Sequence, residues 1–67
     1  MELSIVAVNA NRIIKEKALK QSALAERMNM DPKTFNALLR GRKCIHDYHI
    51  LKLSETLGCE PNDLFKN

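Results

Sequence analysis

The chain has 67 residues, of which 45% are hydrophobic and 28% charged, and its formal net charge is +3. This length predicts one domain, residues 1–67, with a small core. No segment has the roughly 20 apolar residues that a membrane span needs, and the N-terminus lacks the features of a signal peptide. We therefore expect a soluble cytoplasmic protein.

Positive charge is concentrated in the middle of the chain. From Arg12 to Lys43, nine Lys and Arg residues stand against three Asp and Glu residues, a net charge of +6, whereas the rest of the chain carries −3. A basic stretch of this kind indicates a polyanionic partner on one face, although by itself it is also typical of solvated surface.

Capping and helix-breaking residues divide the chain into short helices, and the expected fold class is all-α. Only Leu3–Val8 resembles a strand, and Ser4 is a candidate N-cap there for a first helix. The predicted helices run from Ser4 to about Lys17, Lys20 to Met28, Pro32 to Leu39 or Arg40, Asp47 to Leu57, and Asn62 to Lys66. Apolar residues at helical spacing predict a core of Val6, Ile13, Leu24, Phe35, Leu38, Ile50, Leu53 and Leu57, to which Leu64 and Phe65 return.

The third predicted helix has the clearest boundaries. Asp31 can accept hydrogen bonds from the free N–H groups of the first turn, and Pro32 suits the first helical position because its missing N–H would be unpaired there. Gly41 is expected to end this helix and Gly58 the fourth, because glycine adopts the left-handed conformation without strain.

The junction between the second and third helices predicts a helix-turn-helix. Few residues separate Met28 from Pro32, and Ala25 is small enough to let the helices cross closely. Asn29 tolerates the left-handed conformation that such a turn needs, and Met30 is expected beneath it. In a DNA-binding helix-turn-helix, the second helix enters the major groove while the first crosses the backbone.

Three runs of the sequence carry a resemblance to a known family. They are LKQSALAERMNMDPKTF (19–35), GRK (41–43) and LGCEPNDLF (57–65), and their most specific parts are L-x-Q-x-x-L-A and the closing L-G-x-x-x-x-D-L-F. Together they resemble the phage repressor/Cro family of compact five-helix, lambda-repressor-like domains (XRE-like regulators). The resemblance implies a sequence-specific transcriptional regulator in a bacterial cell or phage-infected host. Such a regulator binds a pseudo-palindromic operator in double-stranded DNA as a homodimer, which can be weak and stabilised by DNA.

The resemblance also implies which residues contact DNA. Bases would be read from the third helix by Pro32, Lys33, Asn36 and Ala37. Phosphates would be held by Lys20, Gln21, Thr34, Arg40, Arg42 and Lys43, and Gln21 would also brace the reading helix. Pro32 departs from the family pattern because it cannot donate a hydrogen bond, so readout at that point falls to Lys33 or to DNA shape.

Catalytic and metal-binding functions have little support in the sequence. No nucleophile, base and orienting group occur together, so we expect no enzyme, no cofactor and no small-molecule substrate. Cys44, His46 and His49 are residue types that bind zinc, but a structural site needs four ligands in a tetrahedron. No metal site is predicted, and the roles of these residues and of Tyr48, expected to be half-buried, stay open.

The main alternative is a protein-interaction module, such as an antitoxin or an anti-repressor with the same fold. The acidic C-terminal third and the apolar run 3–6 are compatible with it. A restriction–modification controller protein is instead a variant of the main hypothesis. Candidate dimer residues are Leu51, Leu64, Phe65 and those just after the third helix.

Overall fold

The computed structural model describes residues 4–66, which form four α-helices and one 3-10 helix without any strand. The elements are α1 (Ile5–Glu16), α2 (Gln21–Arg27), α3 (Pro32–Leu39), α4 (Asp47–Leu57) and η1 (Pro61–Leu64). The all-α prediction is confirmed. Residues 5–8, part of the run that most resembles a strand, lie in α1, in agreement with the predicted first helix, and Leu3 is outside the described residues. Within residues 4–66, no helix has the length and apolarity to cross a bilayer.

Two helices begin at the side-chain caps that the sequence predicts. The Ser4 hydroxyl accepts a hydrogen bond from the Ala7 N–H at 3.2 Å, at the start of α1. The Asp31 carboxylate accepts one from the Lys33 N–H at 3.1 Å, with Pro32 in the first turn of α3. These bonds satisfy backbone donors that have no partner within the helix, so both starts are set locally.

All four α-helices end in the same way, at a left-handed residue. These residues are Ala18, Asn29, Gly41 and Gly58, with φ of 54°, 57°, 77° and 72°. After α3, for example, the Gly41 N–H bonds to the Leu38 carbonyl at 3.3 Å and the Arg42 N–H to the Ala37 carbonyl at 2.9 Å. This is the bond pair of a Schellman motif. The sequence predicts Asn29, Gly41 and Gly58 in this role but not Ala18.

The core lies between all five elements, because α1, α2, α3, α4 and η1 each contribute buried residues. Its largest fully buried side chains are Phe35, Leu57 and Leu64. Of the eight predicted core residues between Val6 and Leu57, all but Ile50 are buried, and Ile50 is partly buried against the cluster.

The C-terminal segment differs from its prediction. It is a 3-10 helix over Pro61–Leu64 rather than an α-helix over Asn62–Lys66, so the described part of the chain has four α-helices, not five. Leu64 is fully buried, whereas Phe65 is 50% exposed. Because successive residues of a 3-10 helix point about 120° apart, the two cannot both face the core. Phe65 therefore does not return to the core, and Leu64 is not available to a dimer surface.

Polar side chains from α1 and its C-cap hold the ends of the other elements. The bonds are Asn9 Nδ2 to the Leu64 and Lys66 carbonyls (2.9 and 2.7 Å), Asn11 Nδ2 to the Leu39 carbonyl (2.9 Å), and Lys17 Nζ to the Leu57 and Gly58 carbonyls (2.9 Å each). Helix C-termini leave carbonyls without intrahelical partners, and these side chains satisfy such carbonyls at the ends of α3 and α4.

Candidate nucleic-acid interface

The turn between α2 and α3 has the conformation that the sequence predicts. Asn29 is left-handed, with φ of 57°, and Met30 is partly buried against the core. Ala25 is fully buried, and its carbonyl accepts the Met30 N–H at 2.9 Å. The two helices therefore pack closely, and the first turn of α3 starts at the molecular surface.

One face of α3 is turned away from the core. Phe35, Leu38 and Leu39 are buried on the inner face. The outer face carries Pro32 and Lys33, both exposed, and then Asn36 and Ala37, both partly buried. Residues four apart on a helix are neighbours, so the four predicted base-reading residues lie together.

A hydrogen bond joins this outer face of α3 to the start of α2. The Gln21 Nε2 donates to the Asn36 Oδ1 at 3.0 Å, and the pair lies at the exposed surface. The side-chain amide of Asn36 keeps its N–H donors and a second acceptor position. Gln21 thus contacts α3, the helix that it is expected to brace from the resemblance.

Positive charge surrounds the same face without compensation. Lys20, Lys33, Arg40, Arg42 and Lys43 lie at or near the surface, and none of them is buried. The ion pairs within residues 4–66 are Arg12 with Glu16 and Lys66 with Asp63, so none of the five cations is paired with a carboxylate in that range. Unpaired cations at one surface favour a polyanion.

The turn at Gly41 brings the basic loop back against the end of α3. The N–H groups of Arg42 and Lys43 both donate to the Ala37 carbonyl, at 2.9 and 3.4 Å. Thr34 is partly buried and lines a groove of about 480 Å³ that Lys43 and Tyr48 also line. Thr34 therefore shares a groove with Lys43, another predicted phosphate contact.

The family model of the Cro/C1-type HTH DNA-binding domain matches residues 11–66, most of the chain. The chain belongs to this family. No curated protein matches it. Among solved structures, it is similar to the restriction-modification controller protein C.AhdI from Aeromonas hydrophila. The identity is 28%, the TM-score is 0.81, and the match covers 91% of this chain and 92% of that chain. The family and this similarity identify a DNA-binding transcription regulator rather than an enzyme.

Next to the basic loop, this Cro/C1-type domain has three aromatic rings at the start of α4. Tyr48 is 72% exposed, so the expectation of a half-buried residue is wrong. Its ring lies 5.3 Å from His46 in a stacked arrangement and 4.3 Å from His49, measured between ring centroids. The His46 N–H donates to the Nδ1 of His49 at 3.1 Å. Burial is the larger cause that lowers the pKa of His49, and the charge of the neighbouring His46 is the second.

The histidines and cysteines of the Cro/C1-type domain do not assemble into a metal centre in the described part of the chain. No group of three His, Cys, Asp or Glu side chains lies close enough to hold an ion there. Cys44 is an exposed free thiol and Cys59 a partly buried one.

One residue that positions the candidate interface was missed at the sequence level. The Asn11 amide donates to the Ala7 carbonyl within α1 and to the Leu39 carbonyl at the end of α3, both at 2.9 Å. It thereby ties the last turn of α3 to α1. An asparagine on an exposed helix position gives no local signal of such a contact, because its partner is 28 residues away.

Proposed function

We propose that this domain is a sequence-specific transcriptional regulator whose α2 and α3 form the helix-turn-helix, with α3 in the major groove and α2 across the backbone. The observation that carries the proposal is the Gln21–Asn36 hydrogen bond on the outer face of α3, near surface cations that have no carboxylate partner within residues 4–66. A hydrogen-bonded polar side chain on a basic helix face is suited to reading base edges.

The proposed readout follows from the donors and acceptors on α3. Lys33 donates to O6 and N7 of guanine, and Ala37 contacts a thymine methyl group. Asn36 uses its free N–H donors and its second acceptor position on N7 and N6 of adenine. Pro32 has no donor, so its contribution is contact with the groove wall and sensitivity to DNA shape.

The proposed phosphate contacts come from the edges of the same surface. They are Lys20 and Gln21 at the start of α2, Arg40 after α3, Arg42 and Lys43 in the loop, and Thr34 beside Lys43. Such contacts provide affinity and set the register on the duplex without reporting sequence. Gln21 contributes to both functions, since it also holds Asn36.

We further propose that two copies act together on a pseudo-palindromic operator. A single small module covers one half-site and buries limited surface. In a dimer, the two α3 helices enter successive major grooves about 34 Å apart on one face of the duplex. The similarity to a restriction-modification controller protein supports a regulator of this kind.

Selection of duplexes from a random-sequence pool, at near-physiological salt, tests the proposal. The Lys33→Ala/Asn36→Ala variant is run in parallel with Lys52→Ala/Asn62→Ala, which removes the same residue types from exposed positions elsewhere. We expect the wild type and the control to enrich one two-fold symmetric site, and the test variant to lose or change it. If a folded wild type enriches nothing, a protein-interaction module is favoured. If the test variant selects the same site as the wild type, the assignment of Lys33 and Asn36 to base reading is wrong.

A further inference from the structure

Two of the proposed phosphate contacts share a groove with the aromatic rings at the start of α4. Thr34 and Lys43 line this groove of about 480 Å³ together with His46, Tyr48 and His49, and it is called the histidine groove below. His46 and His49 are the only histidines in the sequence. Histidine is the side chain whose charge ordinarily changes between pH 5 and pH 8. A DNA phosphate held by Thr34 and Lys43 would therefore lie beside two groups that titrate near neutral pH.

A hydrogen bond between the two histidines favours the neutral form of His49. Its Nδ1 accepts the backbone N–H of His46 at 3.1 Å, and a ring nitrogen accepts a hydrogen bond only while it carries no proton. Protonation of this nitrogen would break the bond at the first turn of α4. Burial, followed by the charge of His46, also lowers the pKa of His49. We therefore expect the first proton that the pair takes up to lie on His46.

The ring of His46 is placed to carry that proton. His46 is exposed at the surface, next to the loop that holds Lys43. Its ring is stacked on the ring of Tyr48, with 5.3 Å between the centroids and 9° between the planes. Because the face of a tyrosine ring attracts a cation within about 6 Å, Tyr48 favours the protonated imidazole of His46.

The other ionisable groups of the histidine groove come from two segments. The loop after α3 supplies Lys43 and Cys44, and the start of α4 supplies Tyr48. The remaining lining residues come from the turn before α3 and from α3, and they carry no ionisable group: Met30, Thr34 and Leu38. The groove thus has no acidic residue among the residues that line it.

Neither histidine is paired with a carboxylate within residues 4–66. The ion pairs in that range are Arg12 with Glu16 and Lys66 with Asp63. Asp47, the acid next to His46 in sequence, lines a second, apolar groove of about 730 Å³ and not the histidine groove. An anion close to an imidazole favours its charged form. A phosphate of bound DNA would be the anion that supplies this charge.

We propose that His46 takes up a proton when the domain binds DNA and contacts the phosphate held by Thr34 and Lys43, so that affinity for DNA rises in mild acid. This contact rests on the proposed function, because its anion belongs to the bound duplex. A phosphate carries no base identity, so the pH changes affinity for all sequences and leaves the preferred sequence unchanged.

The affinity for a single half-site duplex at pH 7 and at pH 5.5 gives the first test. His46→Gln removes the proposed group, and His49→Gln is the matched control because it removes the other histidine. We expect the affinity of the wild type to rise roughly two- to fivefold on going from pH 7 to pH 5.5. The rise should persist in His49→Gln and disappear in His46→Gln. Fluorescence anisotropy measures the affinities, and circular dichroism shows that each protein is folded at both pH values.

The outcomes of this test separate the two proposals. Binding of the folded wild type that does not depend on pH would overturn the role of His46. A rise that persists in His46→Gln, or that is lost in His49→Gln, would also overturn it. Absence of duplex binding by the folded wild type at both pH values would instead overturn the proposed function.

Calorimetry of the same binding reaction counts the protons directly. Titration with duplex at pH 6.5, in two buffers of different ionisation enthalpy, gives the number of protons taken up per bound domain. We expect uptake of a fraction of one proton by the wild type and by His49→Gln, and no uptake by His46→Gln. Release of protons on binding, or equal uptake by His46→Gln, contradicts the proposed contact.

Discussion

The Asn36 side chain serves two neighbours in the proposed complex. Its Oδ1 accepts from Gln21 at 3.0 Å, and its remaining donors face outward for a base. A side chain that is already held in one rotamer loses less conformational entropy when it binds. We therefore expect Gln21 to affect specificity through Asn36 in addition to its proposed phosphate contact.

A double-mutant cycle tests this coupling. We expect Asn36→Ala to lose about 1–3 kcal/mol of discrimination between the selected and a scrambled duplex. Gln21→Ala should lower affinity for both duplexes. Since the two residues share a hydrogen bond, their combined loss should depart from additivity by about 0.5–3 kcal/mol. Fluorescence anisotropy measures the four affinities. Strict additivity of these two substitutions would mean that the bond has no role in recognition.

Ala18 ends α1 in a conformation that suits glycine better. Its φ is 54°, and the left-handed region costs a residue with a Cβ about 1–2 kcal/mol. Ala18→Gly removes this strain but gives the unfolded chain more freedom, so we expect the free energy of unfolding to rise by only about 0.5–1 kcal/mol. Ala23→Gly, inside α2, is the control and should lower the free energy of unfolding by about 1 kcal/mol. Urea denaturation measures both; a loss of stability in Ala18→Gly would be the contrary result.

At the scale of elements, the sequence predicts what short-range chemistry determines. Asp31, Pro32 and Gly41 bound α3 through contacts within a few residues, and the predicted ends lie within one residue of the observed ones. Asn9 was missed because its amide bonds to carbonyls 55 and 57 residues away. Phe65 was misplaced because the register of a single 3-10 turn decides which of two adjacent apolar residues enters the core.

In the candidate interface, too, the sequence predicts the features that depend on local structure but not those that depend on how distant segments fold together. The helical period alone puts Pro32, Lys33, Asn36 and Ala37 on one face of α3. The position of Thr34 beside Lys43 depends on how the loop after Gly41 folds back, and no local pattern specifies that. The residue roles carried by the resemblance stay predictions until DNA binding is measured.

The start of α4 should be sensitive to mild acid. Burial, and secondly His46, lower the pKa of His49 from its ordinary value of 6.5, so the unfolded state takes up the proton first as the pH falls. The contribution of neutral His49 to the free energy of unfolding is therefore complete above pH 6.5 and is lost as the pH falls below that value. We expect the free energy of unfolding to decrease between pH 7 and pH 5.

His49→Gln is the control for this pH dependence, because glutamine does not titrate. It should flatten the change in stability between pH 7 and pH 5. Asp63 affects stability in a different pH range. A hydrogen bond with Lys66 is the larger cause and one from the Glu60 N–H the second, and both lower the pKa of Asp63 below 3.8. Its contribution is lost only as the pH falls below that value. An equal slope in His49→Gln between pH 7 and pH 5 would assign the effect to another group.

At the scale of the whole molecule, positive charge and exposed apolar surface meet at the loop after Gly41. The net +6 between Arg12 and Lys43 includes the five cations around α3, which have no carboxylate partner within residues 4–66. The apolar groove of about 730 Å³ adjoins them at the loop after Gly41. The loop after Gly41 thus borders both the proposed DNA surface and the apolar groove.

Salt dependence tests the electrostatic part of this description. Removal of one cation that binds a phosphate should reduce the slope of log K against log salt by about one. We expect Arg42→Ala to reduce this slope on a single half-site duplex and to weaken binding to all sequences alike. Lys52→Ala, on the far side of α4 from Ile50, should leave the slope unchanged. A changed base preference in Arg42→Ala would contradict its assignment to a phosphate.

The most direct test of the proposed DNA surface is a titration of the 15N-labelled protein with a short duplex, followed by amide chemical shifts. We predict that the largest changes occur at the start of α2, along the outer face of α3 and in the loop 40–43, and that amides around Asn9, Cys59 and η1 change little. Shifts concentrated at α1 and η1, or no shifts at low salt, would contradict the account.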